Sequence, residues 1–175
     1  MAIFLFILAP TQNAYAVVTG AGSGIGRSFA VELAKRGGTI VWADINLGAA
    51  HETVQMIKSL TSAEAFAVQC DVGNQHQVQA LADQAEQLMK HPVALLINNA
   101  GVGLGGKFDE VSLEDWQWCM QVNLWGVIYG CHYFVPKFKQ QGYGAIINVA
   151  SAAGFTAAPE MTAYNVTKSS VLALS

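Results

Sequence analysis

The chain has 175 residues, of which 53% are hydrophobic and 12% charged, with a formal net charge of −3. That length holds one domain with a full core, and the apolar content excludes a disordered or low-complexity chain. The acidic balance and the lack of any Lys/Arg cluster leave no electrostatic case for a nucleic-acid partner.

The first element in the chain is an apolar run at residues 2–9. It is too short to span a bilayer. Ala14-Tyr15-Ala16 has the form of a signal-peptide cleavage site, but no basic region precedes the run. Cleavage there would also remove half of the strand that follows. A local strand extension or a peripheral apolar contact is the expected role. Residues 1–13 are therefore read as an apolar extension and 14–175 as one domain. A cytoplasmic location is expected, with export or membrane association through the apolar run as the alternative.

Residues 15–19 (YAVVT) read as a strand, followed by a glycine-rich stretch. Ile25, Phe29 and Leu33 then recur every four residues, the spacing of a helix with one apolar face. Lys35-Arg36 suits the negative end of that helix, and Gly37-Gly38 stops it. Further strands are predicted at residues 39–43, 65–70, 93–97 and 145–150, and intervening helices at 49–60 and around Val78, Leu81, Ala85 and Leu88. Ser112-Leu113-Glu114-Asp115 resembles a capping box and opens one long helix carrying Trp116, Met120, Leu124, Val127 and Cys131. A last helix is predicted to start near Pro159. It ends the chain in mid-pattern, without Gly, Asn or Pro to close it, as a cut chain would.

The strands are continuous apolar runs, the mark of strands covered on both faces. Their alternation with helices predicts an α/β, Rossmann-like doubly wound parallel sheet with helices on both faces. Cys70, Cys119 and Cys131 are odd in number and widely spaced, so they read as buried thiols in a reducing compartment. His51, His76, His91 and His132 form no ligand pair, and no metal site is expected.

Thr19-Gly20-Ala21-Gly22-Ser23-Gly24-Ile25-Gly26 lies between the first of these strands and its helix. Glycines there let the backbone approach a pyrophosphate, and the helix N-terminus offers free N–H groups to it. Asp44 ends the next strand, where a carboxylate bonds both hydroxyls of an adenosine ribose and repels a 2′-phosphate. No basic residue follows it, so NAD is expected rather than NADP. Tyr164 and Lys168 stand at i and i+4 of the last helix and share a face. A nearby ammonium favours the phenolate, which equips Tyr164 for proton exchange with a hydroxyl or carbonyl. Alone, that spacing is a common coincidence. Ser151, at the carboxyl end of the 145–150 strand, sits where ligands bind in such sheets. Asn98-Asn99-Ala100-Gly101 sits at the carboxyl end of the 93–97 strand. Asn123 is polar within the apolar stretch of the long helix; an amide bonded to backbone or facing solvent is its alternative reading.

With these residues in place, the chain from about Ala14 to Ser175 resembles the short-chain dehydrogenase/reductase family. The glycine signature is matched at residues 19–26, with Gly20, Ser23, Gly24, Ile25 and Gly26 implied as cofactor contacts. The acidic discriminator falls on Asp44 and the adenine-contacting Asp-Val on Asp71-Val72. The Asn-Asn-Ala-Gly motif contributes Asn98, Ala100 and Gly101. The catalytic Asn, Ser, Tyr and Lys fall on Asn123, Ser151, Tyr164 and Lys168, the last two also touching the cofactor.

The resemblance implies an NAD-dependent oxidoreductase acting on a small alcohol or carbonyl compound, homodimeric or homotetrameric when full length. Tyr164 would be the general acid/base, Lys168 its activator and a ribose contact, and Ser151 the group that orients the substrate oxygen. Asn123 would position a water that relays protons to Lys168. Family members continue beyond the equivalent of Ser175, so the expected sheet has five strands, lacks its last ones and leaves an open edge. Two other readings stay open: a truncated, catalytically impaired nucleotide-binding fragment, and an epimerase or dehydratase on the same scaffold. Val102, Leu104, Phe155 and Met161 are candidates for an apolar substrate pocket, though core packing explains them equally well.

Overall fold

The computed structural model describes the backbone of residues 2–5 and the whole of residues 11–175. Five strands run parallel: β2 (Tyr15–Thr19), β3 (Thr39–Asp44), β4 (Ala65–Gln69), β5 (Leu95–Asn98) and β6 (Ala145–Val149). A further strand, β1 (Ala2–Leu5), pairs antiparallel with β6. Among the described residues the sheet therefore has six strands, in the order β1-β6-β5-β2-β3-β4. The five parallel strands are the expected ones, and β1 adds an antiparallel sixth at the edge expected to be open. The pairing joins Ala2–Leu5 to Ile146–Val149, and residues 6–9 of the apolar run lie outside the described residues.

Successive side chains on a strand point to opposite faces, so a strand apolar throughout must be covered twice. Val17, Val41, Ala43 and Leu96 pack on one face against α3 (Gln75–Met89) and α5 (Gly126–Gln141). Ala16, Val18, Ile40, Trp42 and Ile97 pack on the other against α1 (Gly24–Lys35) and α2 (Leu47–Leu60). Side-chain caps start three of the helices: Asn46 accepts from the Ala49 N–H, Asn74 from those of His76 and Gln77, and Ser112 from that of Asp115.

The predicted long helix is three segments. The helix α4 (Leu113–Met120) passes into a π-helical turn, Gln121–Trp125, and then into α5. Such turns widen a helix by a residue and occur often at functional sites. The last helix, α6 (Thr162–Leu174), begins three residues later than its Pro159 signal predicted. Glu160 sits in the left-handed region at φ 55° and breaks the turn that Pro159 enters.

From β2 the chain moves outward to β3 and β4, then returns to β5 and moves the opposite way to β6. That reversal leaves a crevice beyond the carboxyl ends of β2 and β5. The groove described next lies there.

Candidate functional site

The groove at the carboxyl edge has a volume of about 850 Å³. Its walls come from the segments that follow four strands and from one helix with its π-turn. Gly20, Ser23, Gly24 and Ile25 follow β2, Asp44 and Ile45 end β3, and Asp71 and Val72 follow β4. Ala100 and Gly101 follow β5, and Trp118 and Gln121 come from α4 and the π-turn. None of the lining residues is Lys or Arg.

The glycine loop is built by close approach. Gly20 has φ +65°, and a Cβ there would lie 2.7 Å from the Ala100 Cα. A Cβ on Gly26 would overlap the Gly20 carbonyl oxygen, so α1 can lean on the loop only without a side chain. A Cβ on Gly24 would meet nothing within 4 Å, which leaves open space above the start of the helix. Unlike α2, α3 and α4, α1 has no side-chain cap, and like α2 and α3 it has no acidic residue in its first turn. Its free N–H groups and positive dipole end therefore face the groove unneutralised. That arrangement fits a diphosphate.

Asp44 is fixed on both oxygens. Oδ2 accepts the Gly22 N–H at 2.8 Å and Oδ1 accepts the Asn46 N–H at 2.9 Å. The carboxylate is thereby held at the groove wall with lone pairs to spare. The residues present thus fit a dinucleotide without a 2′-phosphate, since no cation lines the groove to offset Asp44.

The two asparagines at the end of β5 part company. Asn98 is buried and donates to Asn148 Oδ1 at 2.9 Å; it does not line the groove. Asn99 does, and its Nδ2 donates to the Thr19 and Gly20 carbonyls at 2.9 and 3.1 Å. Thr19 Oγ1 in turn accepts the N–H groups of Asn99 and Ala100, both at 3.1 Å. Asn99 and Thr19 thus lock the glycine loop to the β5 loop, a role the sequence reading did not assign. Adjacent residues leaving a strand face opposite ways, and that rule was the available signal.

Gly101, which lines the groove, lies beside two side chains. A Cβ there would lie 3.1 Å from Asn123 Oδ1 and 3.5 Å from Lys168 Nζ. Lys168 is 4% exposed and donates to the Val149 carbonyl at 2.9 Å. Its Nζ lies 5.8 Å from the centroid of the Tyr164 ring. Burial holds the Lys168 pKa below the ordinary lysine value, with the nearby Cys119 thiol acting in the opposite sense. Tyr164 is half-buried in the first turn of α6. Ser151, also half-buried, precedes a short 3-10 turn, and its Oγ accepts the Ala153 N–H at 3.2 Å.

Asn123 is fully buried in the π-turn. Its Oδ1 accepts the Val102 N–H at 2.7 Å and its Nδ2 donates to the Val102 carbonyl at 2.8 Å. The amide is thus bonded to backbone, the alternative the sequence left open. Nδ2 also lies 3.3 Å from both Cys119 Sγ and Thr167 Oγ1. Burial pushes the Cys119 thiol above its ordinary pKa, against weaker pulls from Thr167, Asn123 and Lys168. The sequence reading missed Cys119 and Thr167 as neighbours here; helical spacing from Asn123 could have found the first. Among the described residues no group of three or more His, Cys, Asp or Glu could hold a metal ion, and no helix is long and apolar enough to cross a membrane.

The fold and the groove define a dinucleotide-binding α/β protein of the doubly wound class. Comparison with known proteins narrows the class. The family model described as "short chain dehydrogenase" matches residues 14–175. An uncharacterized oxidoreductase of Thermotoga maritima is 38% identical over 169 residues, spanning 93% of this chain and 63% of its own. A cyclohexanol dehydrogenase of an Acinetobacter species is 37% identical over 164 residues, 93% of this chain and 64% of its own. The crystal structure of a short-chain dehydrogenase/reductase from Burkholderia phymatum in complex with NAD superposes with a TM-score of 0.91 at 43% identity. It covers 95% of this chain and 59% of that one. The chain belongs to the short-chain dehydrogenase family, and it spans somewhat less than two thirds of the length of these relatives.

Proposed function

We propose that the chain binds NAD and that the protein it represents transfers a hydride between NAD(H) and a secondary alcohol or its ketone. The observation that carries the reading is one groove lined by both Asp44 and Gly101, with Lys168 Nζ beside Gly101. Asp44 receives the adenosine ribose hydroxyls, and the start of α1 receives the pyrophosphate. This order directs the nicotinamide end of the cofactor toward Gly101, Lys168 and Tyr164. NAD is favoured by its presence in the Burkholderia structure and by the groove's lack of a cation for a 2′-phosphate. The name of the Acinetobacter relative supports the substrate class, cyclohexanol being a secondary alcohol.

When bound, NAD supplies the hydride acceptor. The chain's own residues supply the rest. The Tyr164 phenolate takes the proton from the alcohol oxygen as the hydride departs, and the phenol so formed returns it to the carbonyl in the reverse direction. Lys168 holds its charge near that ring and steadies negative charge on the phenol oxygen as its proton leaves. The Ser151 hydroxyl holds the substrate oxygen. Asn123 fixes the Val102 backbone, and with it the floor beneath the reacting groups.

The test is NAD reduction at 340 nm over a panel of secondary alcohols, using the full-length protein. Tyr164→Phe should lower kcat by at least about a hundredfold, the usual contribution of general acid/base catalysis. It should leave NAD affinity nearly unchanged. Wild-type turnover retained by the Phe variant would sink the assignment.

A further inference from the structure

The π-turn between α4 and α5 holds two loops, not one. Asn123 fastens the loop after β5 through both backbone groups of Val102. Two residues earlier, Gln121 Nε2 donates to the carbonyl of Gly73 at 2.6 Å. Gly73 belongs to the turn after β4, where its N–H donates to Asp71 Oδ1 at 2.9 Å. The Asp71 N–H in turn donates to Gln77 Oε1 at 2.8 Å. Just past the π-turn, Gly126 sits so close to Val72 that a Cβ would lie 2.9 Å from Val72 Cγ2. The helix is therefore seated on the 71–73 turn without slack, and Gln121 is the polar pin of that seat. Gln121, Asp71, Val72 and Gly73 all line the groove.

We infer that Gln121 is a positioning residue for cofactor binding. It acts through Asp71, by fixing the turn that presents the Asp71 carboxylate to the adenine end. The inference rests on the NAD reading above and deepens it. Because Gln121 and Asn123 share one π-helical turn, the spacing between the adenine-side loop and the catalytic loop is set by a single rigid piece of helix. An ordinary α-turn would close up by one residue and could not present both side chains in these directions.

The experiment is calorimetric titration of the chain with ADP-ribose, which reports binding without turnover. Gln121→Met keeps the side chain's length and removes the donor. It should weaken ADP-ribose binding about fivefold to tenfold, the value of one hydrogen bond. The same substitution in an Asp71→Asn background should cost less than about twofold, because a residue acting through Asp71 has little left to position. Gln121→Glu, which turns an oxygen on the Gly73 carbonyl, should reproduce the loss and serves if the Met variant does not fold. Binding unchanged in either variant, or an equal loss with and without Asp71, would overturn this inference alone. Failure of the unmodified chain to bind ADP-ribose would overturn the reading beneath it as well.

Discussion

Lys168, the proposed activator of Tyr164, is buried at a cost in stability. The residue is 4% exposed, and its ammonium donates to the Val149 carbonyl. Burial lowers its pKa from the ordinary 10.5, so the folded chain releases this proton at lower pH than the unfolded chain does. Between the two values the unfolded state binds more protons, and the residue's contribution to stability rises with pH. Below that window both states are charged and the burial cost stands in full. Lys168→Met should therefore stabilise the chain at pH 7 by about 1 kcal/mol while abolishing turnover. Urea unfolding of both chains from pH 7 to 10 checks this, and the gap between them should narrow as pH rises. A variant less stable than its parent at pH 7, or a gap independent of pH, contradicts the account. The Tyr164–Lys168 pair itself was legible from helical spacing and neighbouring motifs. The contact of Asn123 with Thr167 was not, because only the approach of the π-turn to α6 brings those two side chains together.

At the scale of elements, the strands were legible because both of their faces are buried and their sequences are apolar throughout. The π-turn was not. Trp116, Met120, Leu124, Val127 and Cys131 continue a helical pattern straight across it, and a single extra residue in a turn leaves no compositional trace. What marked it were polar side chains, Gln121 and Asn123, set in an apolar stretch. The seat of α5 on the sheet is similarly invisible in sequence. Gly130 faces Asn98, and a Cβ there would overlap the Asn98 amide, which itself bonds Asn148 on the next strand. Gly130→Ala should destabilise the chain by at least about 2 kcal/mol despite alanine's better helix propensity. Denaturant melts measure this directly. A neutral or stabilised variant would mean that α5 is free to move away from β5.

For the whole molecule, strand–helix alternation was enough to read a parallel doubly wound sheet, and the reversal between β2 and β5 places the groove. The role of the apolar N-terminal run was not readable to the same degree. Strand extension, peripheral contact and export were all open; Ala2–Leu5 run antiparallel on β6 as β1, and residues 6–9 of the run lie outside the described residues. The central claim, that Asp44 and a cation-free groove select NAD, belongs to the molecule as a binding unit. Isothermal titration of the chain with NAD and with NADP, before and after Asp44→Ala, tests it most directly. The account predicts that NAD binds at least about tenfold tighter than NADP and that the preference collapses in the variant, where no carboxylate meets the 2′-phosphate. Equal affinity for the two cofactors in the parent chain, or a preference that survives Asp44→Ala, would contradict it.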